Sequence, residues 1–170
     1  FGTLYTKILM FCQRHCVGNT VSSIATRSQS FAEAAEKKYG FRFDYVIKPH
    51  VDTRIFKPAE SELEKQNIRE HREKLTYGNP DALLVLYAGR FDLDKRVGEL
   101  LKMIKAAEKN VYLALIGDGM MRETLLQMSS KENRIFVSAN FVDHETLASY
   151  YKAADVHISA SQMETLGNTV

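Results

Sequence analysis

Apolar and amphipathic stretches alternate through the second half of the chain. Two unbroken apolar runs, Leu83 to Ala88 and Val111 to Ile116, have the length of buried strands. Residues 97–108 and 120–130 follow them with apolar side chains at helical spacing. The same order continues with a predicted strand over 134–137, a helix over 144–153 and a strand over 156–159. Strands that are apolar on both faces and alternate with helices predict an α/β fold, a Rossmann-like parallel sheet with helices on both faces.

The first eighty residues carry a weaker pattern. It predicts, in order, a helix over 3–15, a weak strand over 20–26, a helix over 28–39, a short strand over 43–47, and an exposed helix or connecting segment over the charged residues 58–79. Ser28 is suited to cap the second of these helices and Gly40 to end it.

Composition narrows the classes of partner. The 170 residues are 45% hydrophobic and 26% charged, which is typical of an ordinary globular protein. A net charge of +2 gives no reason to expect nucleic acid or an anionic membrane as the main partner. Cys12 and Cys16 can form a disulfide, but four-residue spacing on a helix favours two small apolar side chains on one face. No second Cys or His pair has zinc-finger spacing, so we expect no metal site.

The two ends of the sequence favour an internal piece of a longer protein. The chain opens on Phe1 without the layout of a signal peptide. It closes at Val170, directly beyond a glycine-containing stretch where a new helix is expected to begin.

A parallel sheet binds its ligand at the carboxyl ends of its strands, so the residues that follow each strand are the candidates. After the first long strand, Gly89 allows a close backbone turn, and Arg90 and Lys95 bring two cations to one crevice. An arginine fork and a lysine point charge suit a diphosphate. The alternative is that both are solvated loop cations. Because Asp92 and Asp94 are accompanied by these cations, we expect no metal at the diphosphate.

The second strand is followed by Gly117 and Gly119. These two glycines resemble the start of a dinucleotide-binding fingerprint, but Arg122 stands where the third glycine would be. The pair is therefore more typical of a tight turn, and a dehydrogenase-type NAD site is disfavoured.

The third and fourth strands are followed by candidate groups for a base and a sugar. Phe141 and Val142 can pack on a flat base while Asp143 caps the next helix, or they can form a hydrophobic staple into that helix. Glu164 precedes an expected helix start at 167–169, where backbone N–H groups favour a phosphate. The glutamate can accept hydrogen bonds from sugar hydroxyls, or it can be only a favourable charge at a helix N-terminus.

Four segments together resemble the C-terminal domain of the family 4 glycosyltransferases, retaining enzymes of the two-domain GT-B type. They are LLVLYAGRFDLDKRV, LALIGDGMMRETL, ANFVDHETLASYYKAADVHIS and SQMETLGNTV, and VDTRIFKP resembles the segment that joins the two GT-B domains. The resemblance implies an incomplete C-terminal half of a GT-B fold. Residues 1–52 would be the tail of the acceptor-binding domain, 53–80 the connection with its charged helix, and 81–170 the truncated nucleotide-sugar-binding domain.

The resemblance also implies residue roles. Arg90 and Lys95 would hold the donor diphosphate, and Glu164 would hold donor-sugar hydroxyls as the first acid of a Glu-x7-Glu element. The implied catalytic residues are Glu164, Arg90 and Lys95, and the implied donor-binding residues are Gly89, Phe141, Val142, Leu166, Gly167, Asn168 and Thr169. No cofactor or metal is expected. The donor substrate would be a UDP- or GDP-linked sugar.

The implied activity is transfer of a hexose to an acceptor hydroxyl with retention at the anomeric carbon, and the fragment alone is expected to be inactive. The pair Leu166-Gly167 resembles enzymes that make glycolipids such as sulfoquinovosyl diacylglycerol, so the acceptor would be a lipid or a glycan. The expected location is the cytoplasmic face of a membrane or the plastid envelope, with peripheral contact through the rest of the protein. Membership of a larger assembly is also open. The alternatives are a non-catalytic GT-B-derived assembly or structural subunit and a GT-B nucleotide-sugar epimerase.

Overall fold

The computed structural model describes residues 7–8, 11–12, 15, 22–40, 42–138 and 140–161, with the backbone alone at Tyr39. Contacts divide these residues into two compact units, one up to His50 and one from Val51 onward. The predicted domain limits at 52/53 and 80/81 stay a prediction.

Over residues 22–40 and 42–50, the first unit contains one helix and two short strands. Strands β1 (Ala25–Thr26) and β2 (Tyr45–Val46) pair in parallel, and helix α1 (Gln29–Tyr39) connects them. Both strands are shorter than the predicted 20–26 and 43–47, because only these two residue pairs form a ladder. The caps of α1 are as predicted. Ser28 accepts a hydrogen bond from the Phe31 amide, and Gly40 ends the helix in the left-handed region at φ 70°.

The predicted helix over 3–15 and the cysteine pair are described only in part. Helical backbone is present at residues Lys7, Ile8, Phe11, Cys12 and His15. Cys12 is an exposed free thiol, whereas Cys16 lies outside the described residues.

The second unit is a parallel α/β sheet. Its strands are β3 (Leu83–Ala88), β4 (Val111–Ile116), β5 (Ile135–Val137) and β6 (Val156–His157), in the spatial order β5-β4-β3-β6. Its helices are α2 (Glu62–Leu75), α3 (Val97–Ala106), α4 (Arg122–Ser129) and α5 (His144–Ala153). All three neighbouring pairs of strands are parallel. This confirms the predicted fold class.

Both faces of the sheet are covered, as the apolar strands predict. Val85 and Tyr87 belong to one buried cluster with residues of α3 and α4. Leu84 and Leu86 belong to a second buried cluster with residues of α2 and α5. Successive residues of β3 therefore point to opposite cores, which explains why this strand has no polar face.

The charged segment 58–79 is more than an exposed connection. A capping box between Ser61 and Glu64 begins α2. Near the end of the helix, Leu75 is fully buried, and Ile68 packs against the same cluster. The many charges of this segment conceal an amphipathic helix that covers one face of the sheet.

The strand order fixes the position of the candidate site. The chain proceeds from β3 outward to β5 and then returns to β6 on the other side of β3. At such a reversal the connections on the two sides diverge and leave a crevice at the carboxyl ends of the strands. The loops that follow β3 and β6 border this switch point.

Candidate functional site

The loop after β3 is fixed through its backbone at both sides of Arg90. The buried Tyr87 hydroxyl donates a hydrogen bond to the Arg90 carbonyl over 2.8 Å. The Gly89 amide donates to the Ile116 carbonyl over 3.0 Å, which extends the β3–β4 pairing by one residue. The backbone position of Arg90 at the end of β3 is therefore fixed.

Phe91 joins this loop to the loop after β4. Its ring is fully buried in the core beneath α3 and α4. Its amide donates to the Asp118 carbonyl over 2.8 Å, and its carbonyl accepts from the Met121 amide over 2.9 Å. The two loops therefore form one rigid edge at the carboxyl ends of β3 and β4.

Gly117 and Gly119 allow this close contact. Their φ values are +150° and +154°, and a Cβ at Gly117 would lie 1.9 Å from the Gly89 carbonyl oxygen. A Cβ at Gly119 would lie 2.7 Å from the Phe91 amide nitrogen. The Ser138 hydroxyl, which is buried after β5, accepts a hydrogen bond from the Gly117 amide over 3.1 Å. The glycines thus serve loop packing, in agreement with the tight-turn interpretation.

Among the described residues, the Arg90 side chain is held by carboxylates of its own loop. It is 67% exposed and forms ion pairs with Asp92 and, over 3.4 Å, with Asp94. Lys95 ends a short 3₁₀ turn (Leu93–Lys95), and its amide donates to the Asp92 carbonyl over 3.1 Å. Both predicted cations therefore belong to one loop beside the switch point. Their binding to a diphosphate stays a prediction.

Asp92 is a residue whose role the sequence did not reveal. One carboxylate oxygen pairs with Arg90, and the other accepts a hydrogen bond from the Met120 amide over 3.4 Å. Its backbone carbonyl accepts from Lys95. Only its position two residues after Arg90 could have indicated it, because the Met120 contact spans two loops.

The residues after β5 divide between packing and exposure. Val142 is partly buried against the core beneath α2 and α5, whereas Phe141 is 82% exposed. Asp143 caps α5 as predicted, by accepting from the Thr146 amide over 2.7 Å, and this hydrogen bond lowers the pKa of Asp143. Phe141 thus has the more exposed side chain of the predicted pair, and contact of the two residues with a base stays a prediction.

The predicted residues after β6 lie outside the described part of the chain. These are Glu164, Leu166, Gly167, Asn168 and Thr169. Their roles stay predictions.

Two of the described histidines, His71 and His157, are packed against tyrosine rings. The His157 ring stacks on Tyr151 at 5.6 Å between centroids, and His71 meets Tyr150 edge-on at 4.8 Å. Burial lowers the pKa of both histidines. Within the described ranges, no group of three or more His, Cys, Asp and Glu side chains is arranged to hold a metal ion. No helix in those ranges has both the length and the apolar character to cross a membrane.

The second unit is a parallel α/β sheet of the kind that binds its ligand at the switch point, and the glycine loops and the two cations lie beside that point. The family of group 1 glycosyl transferases matches residues 63–170. The chain belongs to this family.

Several curated proteins are similar over most of this chain. The sulfoquinovosyl transferase SQD2 of Arabidopsis thaliana is 30% identical over 120 residues, which cover 71% of this chain and 22% of that protein. The alpha-monoglucosyldiacylglycerol synthase of Acholeplasma laidlawii is 28% identical over 114 residues, which cover 64% of this chain and 28% of that protein. The chain thus spans less than a third of the length of either relative.

Solved structures show the same fold. The HepE protein of Anabaena in complex with UDP and glucose superimposes with a TM-score of 0.69 and 20% identity, over 89% of this chain and 41% of that chain. The catalytic domain of starch synthase IV from Arabidopsis thaliana, bound to ADP and acarbose, gives a TM-score of 0.65 and 17% identity, over 86% and 36%. Both are GT-B glycosyltransferases, and the chain corresponds to a part of each.

Proposed function

We propose that this chain is the donor-binding part of a retaining GT-B glycosyltransferase that moves a hexose from a UDP-sugar to an acceptor hydroxyl. The observation that carries the proposal is the exposed Arg90 guanidinium, with Lys95 on the same loop, at the switch point of a chain that belongs to the group 1 glycosyl transferases.

The reaction releases a nucleoside diphosphate, whose negative charge grows as the bond to the sugar breaks. Arg90 offers a planar fork for two phosphate oxygens, and Lys95 offers a compact positive charge. Cations that are already positioned stabilise such charge strongly when water is excluded. In a two-domain enzyme, closure over the donor provides that exclusion.

The preference for a UDP-linked donor is supported by the solved complexes of HepE with UDP and glucose and with UDP-glucose. Calorimetric titration of the full-length protein with UDP, GDP and ADP tests it. We expect UDP to bind most tightly. Tighter binding of GDP would change the donor, and absence of binding by all three would contradict the proposed site.

We place Glu164 at the donor sugar, by the resemblance of the last ten residues to the Glu-x7-Glu element. Replacement of Glu164 by Gln should lower sugar transfer by orders of magnitude, because a misplaced reacting carbon is costly. Binding of UDP should change little, since UDP carries no sugar. Glu123→Gln, which alters an 82% exposed side chain, is the control. Near-normal transfer with a lowered unfolding midpoint would reduce Glu164 to a structural charge.

Retention and metal independence are tested on the same enzyme. The anomeric configuration of the glycosidic bond in the product, read by NMR, should equal that of the donor. Transfer should survive EDTA, because side-chain cations can replace Mg²⁺ at the diphosphate. Loss of transfer in EDTA that Mg²⁺ or Mn²⁺ restores would contradict this part.

For the acceptor we propose a lipid hydroxyl, since one relative is an alpha-monoglucosyldiacylglycerol synthase and the pair Leu166-Gly167 resembles glycolipid-forming enzymes. Transfer to diacylglycerol in vesicles, compared with transfer to soluble sugars, tests this choice. Transfer to soluble sugars alone would assign a glycan acceptor. Binding of UDP-glucose without transfer to either acceptor would favour a non-catalytic subunit.

A further inference from the structure

Two carboxylates hold Arg90, and they differ in how firmly they are themselves held. The Asp92 side chain is 21% exposed, whereas that of Asp94 is 58% exposed. Asp92 directly follows the fully buried Phe91, and its second oxygen faces the Met120 amide. Asp94 lies within the 3₁₀ turn, next to the exposed Leu93.

We propose that Asp92 positions the Arg90 guanidinium for the donor diphosphate, whereas Asp94 only competes with the diphosphate for that guanidinium. The inference rests on the diphosphate site proposed above and adds a positioning residue to it.

The nitrogen atoms that each carboxylate uses support this division. Asp92 pairs with Nη1 of Arg90, and Asp94 lies 3.4 Å from Nη2. Arg54 shows how this chain binds two oxygens side-on, because its Nε and Nη2 donate to the two oxygens of Asp52 over 3.0 and 2.7 Å. An anion that replaces Asp94 would meet the same Nε and Nη2 edge of Arg90, while Asp92 keeps its hold on Nη1.

The backbone that precedes Asp92 is held by hydrogen bonds to neighbouring parts of the sheet edge. The Arg90 carbonyl is fixed by Tyr87, and both backbone groups of Phe91 are bonded to the loop after β4. The backbone on the N-terminal side of Asp92 is therefore anchored. One of its carboxylate oxygens lies close to Gly119, 2.8 Å from where a Cβ would be if this glycine carried one. The Asp92 carbonyl also accepts a hydrogen bond from the Lys95 amide, so Asp92 bonds to both of the cationic residues predicted to bind the diphosphate, Arg90 and Lys95.

The test compares Asp92→Asn with Asp94→Asn in the full-length protein. Each variant removes one negative charge near the same arginine, so electrostatics alone predicts tighter UDP binding in both. We expect Asp94→Asn to bind UDP about two- to fivefold more tightly, since it removes an exposed competing pair. We expect Asp92→Asn to bind UDP about tenfold more weakly, since a charge-assisted bond that fixes the fork is lost.

Uridine and Asp92→Glu separate positioning from other effects. Uridine lacks the diphosphate, so its affinity should be unchanged in every variant. Asp92→Glu keeps the charge but moves the carboxylate, so it should also weaken UDP binding, and it remains informative if Asp92→Asn unfolds. Equal shifts of UDP affinity in Asp92→Asn and Asp94→Asn, wild-type affinity in Asp92→Glu, or a parallel loss of uridine binding would overturn the inference. Failure of the wild-type protein to bind UDP, GDP and ADP would instead overturn the diphosphate site itself.

Discussion

Arg72 and Arg90 lie at opposite ends of the same parallel sheet and are held in opposite ways. At the amino ends of β3 and β6, the Arg72 side chain is 17% exposed. Its Nε donates to the Pro80 carbonyl over 2.6 Å. Its Nη atoms donate to the carbonyls of Ala82 and Ala153 over 2.5 Å and to Asp155 over 2.6 Å. At the carboxyl ends, Arg90 is exposed, and its ion pairs within the described part of the chain are with two side chains of its own loop.

The difference separates a structural arginine from one that can exchange partners. Backbone carbonyls have fixed positions. If the Arg72 guanidinium rotated to bind a ligand, three of them would lose their hydrogen-bond donor. An exposed side-chain carboxylate such as that of Asp94 can rotate away, and water replaces it at small cost. The amino end of the sheet is therefore built for stability, and the carboxyl end has the arrangement needed to bind an anion.

The largest effect should follow the loss of the structural arginine. Replacement of Arg72 by Ala leaves three carbonyls and the Asp155 carboxylate without this donor, so it should destabilise the fold by about 3 kcal/mol. Arg69→Ala, on the exposed side of the same helix, should change stability by less than about 0.5 kcal/mol. Urea unfolding measures both. Equal midpoints for the two variants would remove the distinction between the ends of the sheet.

The second effect should fall on binding. Arg90→Ala should weaken UDP binding in the full-length protein by about 1.5–3 kcal/mol, the range for hydrogen bonds to charged groups, and Lys95→Ala should act similarly. Arg90→Lys should restore binding only in part, because a point charge cannot form the fork. Lys102→Ala, which removes a cation that is 75% exposed on α3, is the control for charge. Unchanged UDP affinity in both the Arg90 and Lys95 variants would contradict the assignment.

The same contrast explains how much the sequence could predict. The limits of β3, β4 and α5 agree with the pattern, because a glycine directly follows each apolar run of the two strands and Asp143 caps the helix. The Arg72 network could not be predicted. It joins Arg72 to Ala153 and Asp155, which lie 81 and 83 positions further along the chain, and no local sequence pattern predicts such a pairing.

For the candidate site, the sequence alone could predict where the two cations lie but not what holds them. The placement of Arg90 and Lys95 after a buried strand follows from the rule for parallel sheets. The anchoring role of Asp92 depends on the Met120 amide of another loop, 28 positions away. Residue types and spacing indicate which groups meet at the carboxyl edge of the sheet. They do not indicate which of the two neighbouring carboxylates, Asp92 or Asp94, is bonded to another loop.

A smaller effect should appear in the pH dependence of stability. Burial raises the pKa of Asp155, but the hydrogen bond from Arg72, the Leu84 amide and the Arg72 charge together outweigh burial, so the pKa is lowered on folding. The resulting stabilisation is present above the unfolded-state pKa, about 4, and is lost as the pH falls through the lower folded-state pKa. Asp155→Asn should therefore be less stable than the wild type at pH 7, and the difference should shrink below pH of about 4. A difference that stays constant down to strong acid would show that the carboxylate charge contributes nothing.

The smallest effect concerns a third arginine, Arg96. Its replacement tests whether the loop at the carboxyl ends of the strands is optimised for stability. Arg96 adopts the left-handed conformation at φ 52° and ψ 34°, between the 3₁₀ turn and α3. This conformation costs a residue with a Cβ about 1–2 kcal/mol, and the greater freedom of glycine in the unfolded chain offsets part of the relief. Arg96→Gly should therefore raise stability by about 0.5–1 kcal/mol, whereas Arg96→Ala removes the same side chain without relieving the backbone and should give no gain. Urea midpoints of the two variants provide the measurement. A gain in both would assign the effect to the arginine charge, and a gain in neither would mean that the strain is compensated elsewhere in the loop.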